Sequence, residues 1–369
     1  MEPSVIVAVV LVGAAVMAFE LGISSAIVEI VAGVILAFFI ADIGSLGWLE
    51  FLANLGMLGL MFMAGFEVDV TRLRRTWRAS VGIGVCSLTF PMTGVFLVCH
   101  FLLGLEFLPS GLVAIGLSTT SLALVYHALK DRGMLDGDVG QALLAAASVV
   151  DVLSMIALAV LLGEFGWGTA IFVIVVVPTI IGLPRLGHWI FRRYKGSVVE
   201  FELRFLLVLL VGMGFMAENI GGIHPAVVAF AIGVVMSEVM EEHEQLEDKL
   251  KGIVFSLFGP VFFLQAGTQL DLRALSPDML FAAALLFATA CSLKFIGSAL
   301  PGHWLLKTSG RFVGLLFNYR LSFGIIAASV GLKIGVITES LYAVMLLVVI
   351  GSAALPVIFL HDRPSELDR

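Results

Sequence analysis

Long apolar runs recur along the whole chain, separated by short breaks that carry Gly, Pro or charge, as at Leu108-Pro109-Ser110 and Ser276-Pro277-Asp278. A helix needs ~20 apolar residues to cross a bilayer. On that measure thirteen segments are predicted: 4–19, 25–41, 52–68, 79–103, 109–127, 139–163, 167–190, 202–219, 225–239, 254–268, 278–299, 311–332 and 338–360. Several are short for a full crossing. No Ser/Pro-rich linker interrupts the series, and the tail His361–Arg369 is too short for a regulatory domain. The expectation is an all-α polytopic membrane protein, one transmembrane domain over 1–369 without a soluble regulatory domain. The first run, Val5–Phe19, follows Glu2 rather than a basic n-region, so it is expected to remain as a helix.

Composition agrees. Of the 369 residues 60% are hydrophobic and 13% charged, with a mean hydropathy of +1.09. Soluble domains carry about 25% charge, so the chain is integral to a membrane. The net charge of −7 is spread over loops and tails, which argues against nucleic acid as a partner. Cys86, Cys99 and Cys291 all lie in apolar stretches, with no CxxC spacing, and are expected to be small core residues. The 14 Met are read as gap-filling core side chains.

Charge also orients the chain. With thirteen crossings, 17 of the 21 Lys and Arg fall on one side, among them Arg72, Arg74, Arg75, Arg78, Arg192, Arg193, Lys249, Lys251, Arg363 and Arg369. The other side receives Arg273 and Lys333. This positive-inside bias predicts the N-terminus outside and the C-terminus in the cytoplasm, in a prokaryotic inner membrane. Lys294 and Arg320 remain within the membrane.

One carboxylate stands out. Asp138–Glu164 is interrupted by a single charge, Asp151, with Ser148 and Ser154 three residues to either side on one helical face. A lone Asp at mid-bilayer costs at least ~2.5–3.5 kcal/mol, and such residues mark ion or proton pathways. Asp151 is in the sixth segment and Lys294 in the eleventh, five apart, so two successive five-helix units would be inverted in the membrane. Segments five and twelve would then correspond, and both carry polar interruptions: Ser118-Thr119-Thr120-Ser121 and Asn318-Tyr319-Arg320-Leu321-Ser322. Discontinuous helices at corresponding places are the pointer to a transporter site between inverted repeats.

The ordered set of motifs resembles the monovalent cation–proton antiporter family over nearly the whole chain. Ile27-Val28-Glu29-Ile30-Val31-Ala32-Gly33-Val34-Ile35-Leu36 is similar to its early Gly-containing helix, and Leu55–Asp69 to its "G…L.F.aG.E.d" signature. Leu117–Ser121 is similar to its "S.T" crossing-helix motif, and Gly259–Gly267 resembles "P.FF...G". The resemblance implies a scaffold and homodimer module, about 1–70 and 200–270. It also implies an ion-carrying core module, about 79–163 and 278–360, which moves like an elevator, and a linker helix at about 167–190. It places Asp151 on the family's ion-binding Asp and Lys294 on a basic residue of the electrogenic branch. Two departures bear on selectivity and stoichiometry: Val150 stands where that branch has a second Asp, and Arg320-Leu321-Ser322 stands where relatives often have Arg-Gly-Glu.

Burial raises the affinity of an Asp for a proton, so one carboxylate can alternate between a proton and Na⁺ or K⁺, which is sufficient for antiport. The remaining cation ligands are expected among the hydroxyls of Thr119, Thr120, Ser121 and Ser154, freed carbonyls and water. Lys294 is expected either to pair with Asp151 or to titrate as a second group. Arg320 is expected to neutralise helix ends or a carboxylate inside the module, with gating or the ion pathway as the alternative, and Asn318 to divide between packing and a crossing-point role. Ser118–Ser121 could instead bond back to carbonyls one turn earlier. His100 is read as interfacial, the acidic run Ser237–Asp248 as a solvated loop, and Glu20, Glu29 and Glu67 as structural. With one carboxylate, an electroneutral exchange of one cation for one proton is the simplest stoichiometry. The competing readings are a gated cation channel or efflux pore, and a transport-inactive sensor or assembly subunit. No metal-ligand cluster, nucleophile triad or phosphate loop points to an enzyme, and no cofactor is expected.

Overall fold

The computed structural model describes residues 2–40, 43–135, 137–164, 166–194, 200–240, 244–270 and 276–360. The regular secondary structure of these residues is all helical, with no strand among them. In chain order the helices are α1 (Pro3–Leu21), α2 (Ser25–Phe39), α3 (Gly47–Phe66), α4 (Val70–Leu97), α5 (Phe107–Gly116), α6 (Leu122–Lys130), α7 (Asp138–Leu162) and α8 (Trp167–Tyr194). There follow α9 (Phe201–Met216), α10 (Pro225–Met240), α11 (Glu244–Ile253), α12 (Gly259–Thr268), α13 (Pro277–Leu306), α14 (Gly310–Leu316), α15 (Ser322–Lys333) and α16 (Glu339–Leu360). Among the described residues eight helices are long and apolar enough to cross a membrane, and five shorter ones are apolar.

The chain divides into two compact units, Met1–Val68 with Leu162–Leu270, and Asp69–Leu161 with Asp271–Arg369. In the first, α3 packs on α10, α2 on α12, and α8 on α9 and α10. The two main crossings are close enough to require glycine. A Cβ on Gly65 would lie 2.0 Å from the Phe230 carbonyl oxygen, and one on Gly233 2.0 Å from that of Phe62. At the α2–α12 crossing, Gly33 meets the Leu264 oxygen at 2.0 Å and Gly267 the Ile30 oxygen at 2.1 Å in the same sense. Small residues let membrane helices approach to backbone contact.

Two expectations are corrected here. The acidic run was expected to be a loop, but Glu247 and Asp248 lie on α11, which continues through a π turn (Val254–Phe258) into α12. Leu246, Leu250 and Val254 recur at helical spacing and are buried, while Lys251 pairs with Glu247 one turn earlier. The charges form the polar face of an amphipathic helix. Of the same run, Glu241 and Glu242 and the side chains of Glu238 and Glu244 lie outside the described residues, as do Arg273, Arg363 and Arg369. The segment predicted at 79–103 starts earlier: α4 begins at Val70, where the Asp69 carboxylate accepts from the Arg72 N–H at 2.8 Å, and kinks at Thr76.

In the second unit α4 packs along α13, α13 along α14 and α16, and α15 against α5 and α16. His100 lies in a π turn (Val98–Leu102), its Nδ1 2.8 Å from the Leu105 oxygen and its ring stacked on Phe96. Cys99 and Cys291 are buried and Cys86 half-buried, all as free thiols.

Candidate functional site

The site is built from two unbroken helices, α7 and α13, and two broken ones. On α7, Ala and Leu predominate between Gly140 and Ala147, and most of the helix from Gly140 to Met155 is buried. Asp151 is 6% exposed. Its flanking hydroxyls turn back to their own helix: Ser148 Oγ donates to the Leu144 oxygen at 3.2 Å and Ser154 Oγ to the Val150 oxygen at 2.7 Å. Val150 points elsewhere, into an apolar cluster with Val125, Phe312 and Phe317. A second carboxylate at position 150 would be desolvated among these apolar side chains, which gives a physical reason for the departure in sequence.

Both polar interruptions break their helices. The chain leaves α5 after Gly116 and re-enters a helix at Leu122, and it leaves α14 after Leu316 and re-enters at Ser322. Each break exposes the backbone groups that a continuous helix would satisfy. The two breaks meet and satisfy one another. The Ser121 N–H donates to the Tyr319 oxygen at 2.7 Å, and Thr120 Oγ1 to the Phe317 oxygen at 3.3 Å.

Helix α13 supplies the cations' surroundings. Lys294 is fully buried, and its Nζ donates to the Ser118 oxygen at 2.6 Å. That carbonyl belongs to the C-terminal end of α5, where partial negative charge accumulates. Arg320, also fully buried, donates to the Ala290 oxygen at 2.7 Å and to Asn318 Oδ1 at 3.2 Å, and approaches Cys291 Sγ at 3.9 Å. Asn318 Nδ2 donates to the Gly314 oxygen at 2.9 Å and the Cys291 oxygen at 3.4 Å. Residues 290–294 of α13 are thus stitched to both breaks. Lys294 also feels the charges of both Asp151 and Arg320, which brings the intramembrane Asp, Lys and Arg into one electrostatic group.

The hydroxyls named from sequence divide in two. Ser118 Oγ donates to the Ala114 oxygen at 2.5 Å and Thr119 Oγ1 to the Gly116 oxygen at 3.3 Å, the local back-bonding pattern. Thr120 and Ser121 reach across to the other broken helix instead. For Ser118, Thr119 and Thr120 the hydroxyl is the donor, so its oxygen keeps acceptor capacity, whereas Ser121 makes its bond through the backbone N–H. Sequence reasoning missed the acceptors Phe317, Tyr319, Ala290 and Cys291, because they act through backbone carbonyls that any residue type supplies. The only legible signal was Cys291 standing one turn before Lys294.

Lys294→Ala is expected to lower thermal stability in detergent by about 1.5–3 kcal/mol, the value of a charge-assisted hydrogen bond. Lys294→Gln, which keeps a donor, is expected to lose less. Equal unfolding midpoints for all three proteins would show that the bond to Ser118 contributes nothing.

A buried charge among broken helices in an all-helical bundle is the architecture of a membrane transporter. Comparison with known proteins narrows it. Residues 6–361 match the sequence model of the transmembrane sodium/hydrogen exchanger, so the chain belongs to that family, one of transporters rather than enzymes. It is 30% identical over 329 residues to the "Probable Na(+)/H(+) antiporter 3" of Methanocaldococcus jannaschii, covering 85% of this chain and 83% of that one. It is 25% identical to the Na(+)/H(+)-K(+) antiporter GerN of Bacillus cereus, over 83% of this chain and 82% of GerN. The fold is similar to that of the sodium proton antiporter MjNhaP1 of Methanocaldococcus jannaschii, with a TM-score of 0.69 and 16% identity, covering 97% of this chain and 95% of that one.

Proposed function

We propose that this protein is a secondary active transporter that exchanges Na⁺ or K⁺ for H⁺, with Asp151 binding cation and proton alternately. The observation that carries this reading is the placement of Asp151. It is a buried carboxylate on α7, electrostatically linked to Lys294, in the unit whose broken helices offer carbonyl and hydroxyl oxygens. Sodium/proton exchange is supported by family membership and by what the relatives are named for. The name of GerN supports K⁺ as a further cation.

The chemistry follows from competition. A cation and a proton cannot neutralise the same carboxylate at once, so each displaces the other. Moving the empty, charged site through the membrane is costly, whereas moving it loaded with either species is not. Coupling therefore needs no third component. Thr119, Thr120, Ser121 and Ser154 are the candidate oxygen ligands. Lys294 and Arg320 neutralise the broken-helix ends, and Asn318 holds Arg320 in place.

In this reading the unit containing Asp151 moves between inward- and outward-facing positions while the other forms the homodimer, with the helix at about 167–190 linking them. The helices on the two sides of the site would be inverted repeats. The N-terminus lies outside and the C-terminus in the cytoplasm of a prokaryotic inner membrane, in keeping with the distribution of Lys and Arg.

Because only Asp151 carries the exchange, one cation moves against one proton without net charge. In proteoliposomes, an outward Na⁺ or K⁺ gradient is expected to acidify a dye-loaded lumen and an inward gradient to alkalinise it. An imposed pH gradient is expected to generate no voltage in the presence of the cation. A voltage would overturn the stoichiometry. Currents at channel rates without proton coupling, or no flux from protein that co-purifies with a partner, would overturn exchange itself.

A further inference from the structure

Glu29 lies near the start of α2, where the sequence suggests a structural role, but its surroundings are those of a recognition group. It is 2% exposed, with its carboxyl hydrogen-bonded to Ser25 and its Oε2 without a hydrogen-bond partner among the described residues. Buried carboxylate oxygens are ordinarily satisfied, and leaving one unsatisfied is costly. Beside Glu29 is a cavity of about 480 Å³, within the usual ~300–1,000 Å³ range of small-molecule sites.

The walls of this cavity define its chemistry. Leu11, Val12, Ala15 and Phe19 of α1 form one side, and Phe255 and Pro260 another. Among the described residues the other polar side chains lining it are those of Ser25 and Ser256, with no Lys or Arg. Along α1, Val5, Val9, Val12 and Val16 form an exposed apolar ridge, and α1 is capped at Gly22, three residues before α2 begins. The acidic end of the cavity is therefore close to a helix turn, and its apolar walls run along α1 away from that turn.

We propose that this cavity binds an amphiphilic primary amine, with its ammonium on Glu29 and its alkyl chain along Leu11, Val12, Ala15 and Phe19. The charge complementarity is specific. One carboxylate oxygen lacks a donor, an ammonium has three, and no base is present to hold a phosphate or carboxylate headgroup. A bare alkali cation would leave the apolar walls unfilled, and a neutral alcohol would bring one donor where an ammonium brings three.

The test uses the full chain in neutral detergent, with dodecylammonium, dodecanol and dodecanoate as probes and binding followed by native mass spectrometry. Dodecylammonium is expected to bind at least about tenfold more tightly than dodecanol, the value of one charge-assisted hydrogen bond. Glu29→Gln is expected to remove that advantage while leaving dodecanol binding unchanged. Ala15→Phe, which fills the cavity but keeps the carboxylate, is expected to abolish binding of both and decides the matter if Glu29→Gln does not fold. Equal affinity for amine and alcohol, or amine binding that survives both substitutions, would overturn the proposal. So would exclusion of the amine by a second copy of the chain, detected as disulfide cross-linking of Val12→Cys protomers. Cation exchange is not a readout here, so the result is independent of the role of Asp151.

Discussion

Replacing Asp151 by Asn is expected to abolish cation-driven proton movement in proteoliposomes, a fall of at least about a hundredfold. Asn presents a similar shape but has no titratable group, so the proton half of the exchange loses its carrier. The cation half loses its only formal negative ligand, and ~3 kcal/mol of lost charge-assisted binding corresponds to a factor of about a hundred. The measurement is dequenching of a pH-sensitive dye on addition of Na⁺ or K⁺, with reconstitution efficiency matched between proteins. Stability separates this role from a structural one. If Asp151 served only as a fixed partner of Lys294, removing it would leave a buried charge uncompensated and destabilise the fold by about 3–5 kcal/mol. The expectation is instead a lost flux with an unfolding midpoint close to that of the wild type, because an exchange site must tolerate both protonation states. Retained flux would remove the central claim.

The second large effect is on folding. Gly233→Leu is expected to prevent α3 and α10 from closing, because the first added carbon would meet the Phe62 carbonyl oxygen at 2.0 Å. Neither backbone can yield without losing its own helical hydrogen bonds, so the loss is expected to exceed about 3 kcal/mol, the upper end for overpacking. The control is Gly212→Leu on α9, where nothing lies within 4 Å of the added carbon and little change is expected. Yield of monodisperse protein and thermal midpoint in detergent check both. A folded Gly233→Leu protein with a normal midpoint would show that the crossing is looser than described.

These two residues show different degrees of legibility. Asp151 could be found from sequence because a charge inside an apolar helix is conspicuous whatever surrounds it. Gly233 could not. The chain holds 39 glycines, and nothing local distinguishes one at a helix crossing from one such as Gly212 with open space beside it. Glu247 and Asp248 were misread for a related reason. Their charge density suggests solvent, whereas the buried Leu246 before them and Leu250 and Val254 after them make one face of α11 and of the turn that follows it apolar.

Val150 shows where sequence and structure complement each other. From sequence it is only the absence of an expected acid beside Asp151. In the fold it occupies an apolar cluster, on a different face of α7 from its neighbour, where a charge would be desolvated. Glu29 shows the opposite. Its position near a helix end suggested a structural group, and only the packing of α1, α2 and the start of α12 reveals a cavity beside its unpartnered oxygen.

By itself the sequence determined that this is an all-helical membrane protein, that Asp151, Lys294 and Arg320 are costly charges within it, and that two helices are interrupted. Those properties depend on the polarity and spacing of neighbouring residues, and helical periodicity carries them without knowledge of the fold. Tertiary structure alone decided which broken ends meet, which carbonyl receives Lys294 and which glycines touch backbone. Such contacts join residues as far apart as Ser118 and Lys294, separated by 176 positions, and depend on backbone atoms that every residue carries alike.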